Sequence, residues 1–320
     1  MLRVGVVGTG MIGQDHIRRL TSVLSGARVV AVTDVDTTLA ARVGGAVGAV
    51  VHPTGEDVIA ACDAVLVCSW GPSHEQYVLA AVAAGKPVFC EKPLATTASA
   101  CRRIVDAEVF HGSRLVQVGF MRRFDDAYRK LRNEAGGGAI GAPLLMHCAH
   151  RNRDVPAYYR TEMAIVDTAV HEFDMVRWMF GEDIVAIRVL VPRSNRNGHG
   201  LQDPLLIILE LANGILVDVE TSVNIRYGYD IRGEIVGENG TLTLGGPVPV
   251  SVTWQDRFAD AYDTELQEWI DAVAASGQPN GPTAWDGYAA TAVCEAGVQS
   301  LRTGERVEVV LASRPSLFLS

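Results

Sequence analysis

The chain has 320 residues, and its 28 Lys and Arg against 37 Asp and Glu give a formal charge of −9 at pH 7. With 48% hydrophobic and 20% charged residues, it is long and apolar enough for about two globular domains. The acidic balance argues against a general nucleic-acid binder, no apolar stretch is long enough to span a membrane, and the N-terminus lacks a signal-peptide pattern.

The first 120 residues alternate between short apolar strands and helical segments. The predicted strands are Leu2–Val7, Arg28–Thr33, Ala64–Ser69, Pro87–Cys90 and Leu115–Gly119. The predicted helices are Met11–Leu24, His74–Ala84 and Ala98–His111. Strands that are apolar throughout are typical of a parallel sheet covered on both faces. The alternation therefore predicts a doubly wound α/β domain over residues 1–120.

Beyond residue 120 the strands follow one another directly. The predicted strands are Pro143–Arg151, Ile184–Val191, Leu205–Leu211, Ile215–Val223, Asp230–Val236, Thr241–Leu244 and Val250–Trp254. The predicted helices are Asp125–Glu134, Ile165–Phe180, Asp263–Ser276 and Trp285–Arg302. Asn-Gly pairs at 213–214 and 239–240 favour tight hairpins. Residues 121–320 are thus predicted to form an α+β domain with a largely antiparallel open sheet.

A glycine fingerprint follows the first predicted strand and opens the first predicted helix. Gly8-Thr9-Gly10-Met11-Ile12-Gly13 has the form G-x-G-x-x-G, which permits a tight turn, close approach of a pyrophosphate and close helix–strand packing. Asp34 ends the second predicted strand, where a carboxylate accepts hydrogen bonds from ribose hydroxyls and repels a 2′-phosphate. Together they predict a Rossmann domain that binds NAD in preference to NADP.

A lysine lies where a further strand ends, in Glu91-Lys92-Pro93. Ligands of open α/β sheets bind at the carboxyl edge of the strands, and an ammonium group there can stabilise negative charge on a substrate oxygen. A lone lysine is usually a solvated surface charge, but this one stands between an apolar strand and a proline. Lys92 is therefore a candidate for the reacting site.

Asp167 and His171 are four residues apart in the helix predicted over Ile165–Phe180. That spacing places both on one helix face, where a carboxylate makes the imidazole a better proton acceptor. Histidine at such a position is as often a cap or a satisfied core group. Asp174 either joins this pair or forms an ion pair with Arg177. No second histidine stands at the spacing of a zinc helix, and no metal is expected.

Several longer strings carry a resemblance over essentially the full length. They are Glu91-Lys92-Pro93, Gly119-Phe120-Met121-Arg122-Arg123-Phe124-Asp125, Cys148-Ala149-His150-Arg151-Asn152, Val166-Asp167-Thr168-Ala169-Val170-His171-Glu172, Tyr227-Gly228-Tyr229-Asp230 and Gly281-Pro282-Thr283-Ala284-Trp285-Asp286-Gly287-Tyr288. With them the chain resembles the Gfo/Idh/MocA oxidoreductase family, most of all its bacterial members that oxidise inositol.

The resemblance implies NAD-dependent oxidation of myo-inositol to its 2-keto product. It implies a catalytic group of Lys92, Asp167 and His171. It implies that a polyol pocket around these three is completed by Arg122, His150, Asn152 and Tyr229. Besides the fingerprint and Asp34, the residues it places near the cofactor are Ser69, Trp70, Pro72, Glu91 and Lys92, with Glu91 beside the nicotinamide. Related enzymes assemble through the open face of the second sheet, which implies a homotetramer.

Two other functions stay open at this point. The same residues suit another inositol isomer or a pyranose sugar. A regulator that binds NAD without turnover belongs to a different class, and the presence of all three catalytic candidates argues against it. The six cysteines have neither zinc-site nor disulfide-framework spacing, so we expect reduced, buried thiols in a cytoplasmic protein.

Overall fold

The structure is a computed structural model, described here for residues 1–244, 250–251 and 253–319. The chain forms two compact units. The first contains Met1–Phe120, Tyr262–Thr291 and Ala312–Ser320, and the second contains Met121–Ala261 and Ala292–Leu311. No helix in the described part of the chain is long and apolar enough to cross a membrane. All six cysteines are buried free thiols.

A six-stranded parallel sheet forms the centre of the first unit. Its strands are β1 (Leu2–Val7), β2 (Ala27–Thr33), β3 (Val50–Val51), β4 (Ala64–Val67), β5 (Val88–Glu91) and β6 (Val116–Gly119). They lie in the order β3-β2-β1-β4-β5-β6, so the strand order reverses between β1 and β4. This is the doubly wound order of dinucleotide-binding folds, whose ligands bind at that reversal. The predicted fold class of this half is confirmed.

Five helices connect these strands. They are α1 (Met11–Ser22), α2 (Thr37–Val47), α3 (Gly55–Ala61), α4 (His74–Ala83) and α5 (Ala98–His111). Each of α2, α3 and α5 begins with a side-chain cap, for example the Thr97 hydroxyl, which accepts a hydrogen bond from the N–H of Ala100. Helices α2 and α3 and strand β3 were not predicted from the sequence, whereas the remaining helices and strands of this unit agree with the prediction within a few residues.

A later part of the chain completes the hydrophobic core of the first unit. Leu266, Trp269, Ile270 and Val273 belong to the same buried cluster as residues of β1, β2 and β4. The Trp269 ring meets Phe89 of β5 edge to face, with 6.0 Å between ring centroids. The predicted second domain, 121–320, includes this segment, so the compact units differ from the predicted division here. The assignment of function to the two halves stays a prediction.

The second unit contains a seven-stranded mixed sheet. Its strands are β7 (Pro143–Arg151), β8 (Ile184–Leu190), β9 (Leu205–Leu211), β10 (Leu216–Ser222), β11 (Asp230–Gly237), β12 (Gly240–Thr243) and β13 (Val307–Glu308). The order is β12-β11-β7-β10-β9-β8-β13, and β7 with β10 is the parallel pair among antiparallel neighbours. The predicted, largely antiparallel open sheet is confirmed.

The remaining helices correct two predictions. They are α6 (Asp126–Gly136), α7 (Val170–Phe180), α8 (Trp254–Arg257), α9 (Ala259–Ser276) and α10 (Ala284–Thr303). The strand predicted over Val250–Trp254 is wrong at its end, because the Thr253 hydroxyl caps α8; residue 252 lies outside the described residues. The continuous helix predicted over Ile165–Phe180 is a π-helix over Ala164–Ala169 that continues as α7.

We expect the stability of the protein to depend on pH through Glu108 of α5. It is fully buried, and its carboxyl accepts hydrogen bonds from the N–H groups of Leu115 and, at 2.8 Å, Val116. Burial raises the pKa of Glu108 to about 7, against the opposing effect of these two hydrogen bonds. Because the folded state holds the proton more tightly, the stabilisation from Glu108 is complete below about pH 4.5 and is lost as the pH rises through about 7.

The substitution Glu108→Gln keeps an acceptor oxygen and removes the titration. Relative to wild type, we expect its free energy of unfolding to rise by at most about 3 kcal/mol between pH 4.5 and pH 7. Urea unfolding at pH 5 and pH 8 measures this difference. The exposed Glu56→Gln is the control, and parallel pH curves for Glu108→Gln and wild type would contradict the prediction.

Candidate functional site

The glycine loop between β1 and α1 shows a different constraint at each glycine. Gly8 has φ +96°, and a Cβ there would lie 2.5 Å from the Ser69 nitrogen. A Cβ on Gly13 would lie 2.1 Å from the Gly8 carbonyl oxygen. A Cβ on Gly10 would meet no heavy atom of the described residues within 4 Å. Gly8 and Gly13 therefore make the turn and the packing possible, and Gly10 leaves open space above the loop.

The start of α1 fits the phosphates of a dinucleotide. The helix begins at Met11, and among the described residues no side chain caps it at Gly10, so its first N–H groups are available to an anion. Met11 is 65% exposed beside this helix end. The open space at Gly10 and the uncapped helix end both fit the predicted NAD.

Asp34 lies where the sequence predicts it, directly after β2 and next to the glycine loop. Its Oδ2 accepts hydrogen bonds from the backbone N–H and, at 3.2 Å, the hydroxyl of Thr9. Its Oδ1 accepts one from the N–H of Asp36 at 3.0 Å. The half-buried carboxylate thus fixes the loop and stands at the strand end where an adenosine ribose would bind.

The segment after β4 lies beside the end of β1, because the two strands pair in register up to Val7 and Val67. Ser69, Trp70 and Pro72 are in this segment, and the Ser69 hydroxyl hydrogen-bonds the Ser73 hydroxyl at 2.8 Å. The Trp70 side chain is 81% exposed, which is uncommon for tryptophan. The structure therefore places these three predicted cofactor residues along the same sheet edge as the fingerprint.

Glu91 ends β5 and points into the first unit. Its Oε1 lies 2.7 Å from Nε2 of the buried His16 in α1, and its Oε2 accepts the N–H of Lys92 at 3.2 Å. Both carboxylate oxygens thus bind protein groups, and contact between Glu91 and a nicotinamide stays a prediction. Lys92 itself is half-buried just after β5. His16 was not predicted as a site residue, because a lone histidine in a helix carries no signal in the sequence.

His74 joins the segments that follow β4 and β5. Its ring is buried, with Nδ1 2.8 Å from the Pro93 carbonyl oxygen and Nε2 2.8 Å from the Ser69 carbonyl oxygen. Burial lowers the pKa of His74, although both carbonyl groups act in the opposite direction. His74 therefore ties the predicted cofactor segment to the residue that follows Lys92.

We expect His74→Ala to leave these two carbonyl oxygens without their ring partner. The neutral ring donates one N–H, and the loss of that buried hydrogen bond costs about 1–3 kcal/mol of stability. The freed Lys92 segment should also lower kcat about tenfold. Thermal unfolding and steady-state kinetics measure the two effects. The exposed His111→Ala is the control in the same unit. An unchanged kcat in His74→Ala would show that the connection does not position Lys92.

Asp167 and His171 belong to the second unit. Asp167 is half-buried in the π-helix, and His171, 8% exposed, is the second residue of α7. The change from i→i+5 to i→i+4 hydrogen bonding therefore falls between the two predicted catalytic residues. Insertions of this kind in α-helices are frequent at functional sites. The continuous α-helix predicted from the sequence therefore does not describe this segment.

Three of the predicted substrate residues form one buried group in the second unit. His150 Nδ1 lies 3.0 Å from Arg122 Nη2, and His150 Nε2 lies 3.2 Å from the Tyr229 hydroxyl. The His150 and His171 ring centroids are 6.3 Å apart. Arg122 is only 1% exposed and forms an ion pair with Glu172, so its direct contact with a polyol stays a prediction.

Glu172 is the functional candidate that the sequence analysis missed. Glu172 directly follows His171 in the sequence, and this position next to a predicted catalytic residue could have marked it as a site residue. Burial opposes ionisation of Glu172, but Arg122 and then His150 lower its pKa below the ordinary value. Glu172 is therefore an anion in the interior of the second unit.

Asn152 follows β7 and approaches the π-helix. Its amide donates to the Thr168 hydroxyl at 3.3 Å, and Thr168 also binds the Tyr159 hydroxyl at 2.7 Å. Asp174, whose role the sequence left open, forms an ion pair with Arg123. Asn152 is thus held against Thr168, the residue that follows Asp167 in the chain.

The predicted site residues divide between the units. The fingerprint, Asp34, the segment after β4 and Lys92 belong to the first unit, and Asp167, His171 and the predicted polyol residues belong to the second. Among the described residues no group of three or more His, Cys, Asp or Glu is arranged to hold a metal ion.

Comparison with known proteins identifies both halves. Residues 2–120 match the model of the NAD-binding Rossmann fold of an oxidoreductase family, Gfo/Idh/MocA, and residues 135–309 match its C-terminal alpha/beta domain. Inositol 2-dehydrogenase 3 of Saccharopolyspora erythraea is 54% identical, covering 99% of this chain and 98% of its own. Inositol 2-dehydrogenase of Ralstonia nicotianae is 52% identical, covering 99% of both chains.

One solved structure is similar over nearly its whole length. It is the myo-inositol dehydrogenase of Lactobacillus casei in complex with NAD(H) and myo-inositol. It is 39% identical, has a TM-score of 0.96 and covers 99% of each chain. This neighbour combines the fold described above with both ligands that the sequence analysis predicts.

Proposed function

The chain belongs to the Gfo/Idh/MocA oxidoreductase family, and on that premise we propose that it oxidises myo-inositol to 2-keto-myo-inositol with NAD. The observation that carries this proposal is the similarity to a structure with NAD(H) and myo-inositol bound, at a TM-score of 0.96. The glycine loop and Asp34 would hold the cofactor, which accepts a hydride when bound. Asp34 would make NAD the preferred cofactor over NADP.

The residues of this chain supply position and proton transfer. Lys92 stabilises negative charge on the reacting oxygen, and His171 accepts the proton of that hydroxyl. Asp167 stabilises the imidazolium that results. His150, Asn152 and Tyr229 offer donors and acceptors to further hydroxyls, while Arg122 completes the predicted pocket. A polar site of this kind rejects analogues that lack a hydroxyl, because a buried group then stays unpaired.

A panel of cyclitols and aldoses tests the proposal. Purified protein with NAD and myo-inositol should produce NADH, and kcat/KM is then ranked across myo-inositol, scyllo-inositol and glucose. A preference of about tenfold for another substrate, about 1.4 kcal/mol in transition-state binding, would change the assigned substrate. Binding of NAD with no turnover of any of these would favour a regulator instead.

We further propose that the protein is a homotetramer that assembles through the outer face of the second sheet. A groove of about 660 Å³ lies on that face, lined by residues of β7, β10, β11 and β12 and by Leu244. Its charges have both signs, including Arg151, Asp218 and Arg232, which suits pairing with a copy of itself. Light scattering tests this, and a monomer at micromolar concentration would contradict it.

We also propose that the first unit binds the cofactor, that the second provides most polyol contacts, and that the enzyme acts in the cytoplasm. The match of residues 2–120 to the family's NAD-binding Rossmann fold supports the first point. Six buried free thiols fit a reducing compartment.

A further inference from the structure

A buried histidine and a buried glutamate meet in the interior of the first unit. His16 lies in α1, three residues beyond Gly13 of the fingerprint, and Glu91 is the last residue of β5. His16 Nε2 and Glu91 Oε1 are 2.7 Å apart, and the two side chains are 0% and 8% exposed. This contact therefore links the helix of the glycine loop to the strand that ends just before Lys92.

The contact with Glu91 is the one side-chain hydrogen bond of His16 among the described residues. The other ring nitrogen, Nδ1, is buried and has no hydrogen-bond partner there. Two aromatic rings pack against the imidazole, Phe89 at 5.8 Å and Tyr262 at 5.7 Å between ring centroids. An apolar ring would suit these neighbours without leaving a polar atom unpaired. What the imidazole adds to such packing is its bond to Glu91.

The carboxylate of Glu91 is bound at both of its oxygens. Oε2 accepts the backbone N–H of Lys92 at 3.2 Å, and Oε1 is held by His16. On the neighbouring strand, Gly119 pairs with Glu91, and a Cβ there would lie only 3.2 Å from Oε1. Without His16 a buried carboxylate oxygen would be unpaired, so the side chain would turn toward water and release the N–H of Lys92. These contacts form whichever of the two groups holds the proton.

We infer that His16 is a positioning residue that, through Glu91, fixes the backbone at Lys92 and with it the ammonium group. The inference rests on the proposed function, because that function assigns the Lys92 ammonium to the reacting oxygen. His74 fixes the following residue, Pro93, by its carbonyl oxygen. The backbone is thus held both at the N–H of Lys92 and just after it.

Two substitutions of His16 separate its hydrogen bond from the packing of its ring. His16→Phe keeps an aromatic ring against Phe89 and Tyr262 and removes the hydrogen bond. His16→Gln removes the ring and keeps a polar nitrogen that can reach Glu91. We expect kcat for myo-inositol oxidation to fall about tenfold in His16→Phe and to return to within about threefold of wild type in His16→Gln. Normal kcat in His16→Phe, or equal losses in both variants, would overturn the inference.

A double-mutant cycle tests whether His16 acts through Glu91. Glu91→Met keeps a side chain of similar length that cannot hold His16 and the N–H of Lys92 together. His16→Phe should cost about tenfold in kcat in the wild-type background and almost nothing beside Glu91→Met, because the hydrogen bond is then already absent. Losses that multiply in the double variant would overturn the inference.

Amide hydrogen exchange reports on Lys92 without any substrate. Mass spectrometry of a peptide that covers residues 88–94, fragmented to single residues, measures the protection of the Lys92 N–H. We expect protection in wild type, faster exchange at this amide in His16→Phe, and protection again in His16→Gln. A Lys92 amide that exchanges freely in wild type would overturn the inference, and this result needs no folded variant.

The matched control is Asp15→Asn, which weakens α1 one residue before His16 by removing the ion pair of Asp15 with Arg19. It should lower stability and leave both kcat and the exchange of the Lys92 amide as in wild type. An equal fall in kcat there would reduce the role of His16 to the stability of α1 and overturn the inference. If wild type oxidises no inositol, the proposed function fails, and the exchange experiment still decides whether His16 fixes the backbone at Lys92.

Discussion

His171→Ala should lower kcat for myo-inositol oxidation by about 10²- to 10⁴-fold, the usual contribution of a general base. Lys92→Ala should lower it comparably, because the negative charge on the reacting oxygen loses its cation. NAD should still bind to both variants, because the glycine loop and Asp34 stay intact. Stopped-flow measurement of NADH formation and titration with NAD separate the two quantities.

The control for His171 is another histidine of the second unit. His147 is on β7, forms an ion pair with Asp218 and has a largely exposed side chain. His147→Ala should therefore leave kcat unchanged. If the double variant of Lys92 and His171 kept normal turnover, the assigned catalytic roles would be refuted.

Gly13→Ala should destabilise the protein by about 3 kcal/mol, at the upper end of overpacking costs. The added Cβ would lie 2.1 Å from the Gly8 carbonyl oxygen, and a backbone atom cannot rotate away. The displaced loop should also lose NAD binding. Urea unfolding measures the first effect, and calorimetric titration with NAD measures the second.

The substitution Gly10→Ala tests whether the ligand needs the open space at this glycine, without disturbing the packing of the same loop. Because its Cβ would meet no described atom within 4 Å, stability should be unchanged while NAD binds more weakly. A Gly10→Ala variant that binds NAD normally would contradict the proposed approach of the pyrophosphate. A Gly13→Ala variant of wild-type stability would contradict the packing argument.

Much of the fold could be predicted because its strands carry strong local signals. Leu2–Val7 and Leu205–Leu211 are predicted with the bounds that the structure has. The region of α2, β3 and α3 was missed because β3 has only two residues and α2 contains two adjacent glycines, which weaken a helical pattern. The helix starts could have been found from Asp36 and Thr54, which cap α2 and α3.

The candidate site was predictable only in part. The fingerprint and Asp34 have fixed spacing along the chain, so the sequence locates them. Glu172 and His74 act through residues distant in sequence, and no local pattern distinguishes them from ordinary buried groups. The π-helix was hidden for a related reason: Asp167 and His171 keep the same spacing whichever hydrogen bonds the backbone makes.

The core of the first unit includes Leu266, Trp269 and Ile270, which come from a much later part of the chain. This limits how the cofactor domain can be exchanged between proteins. A chimaera joined at residue 120 would receive the glycine loop without the helix that covers Phe89, and would expose apolar surface to water. The unit that would have to be transferred to move the cofactor site to another protein is therefore encoded by separate segments of the gene. Recombination that respects it has to carry the segments 262–291 and 312–320 together with the first 120 residues.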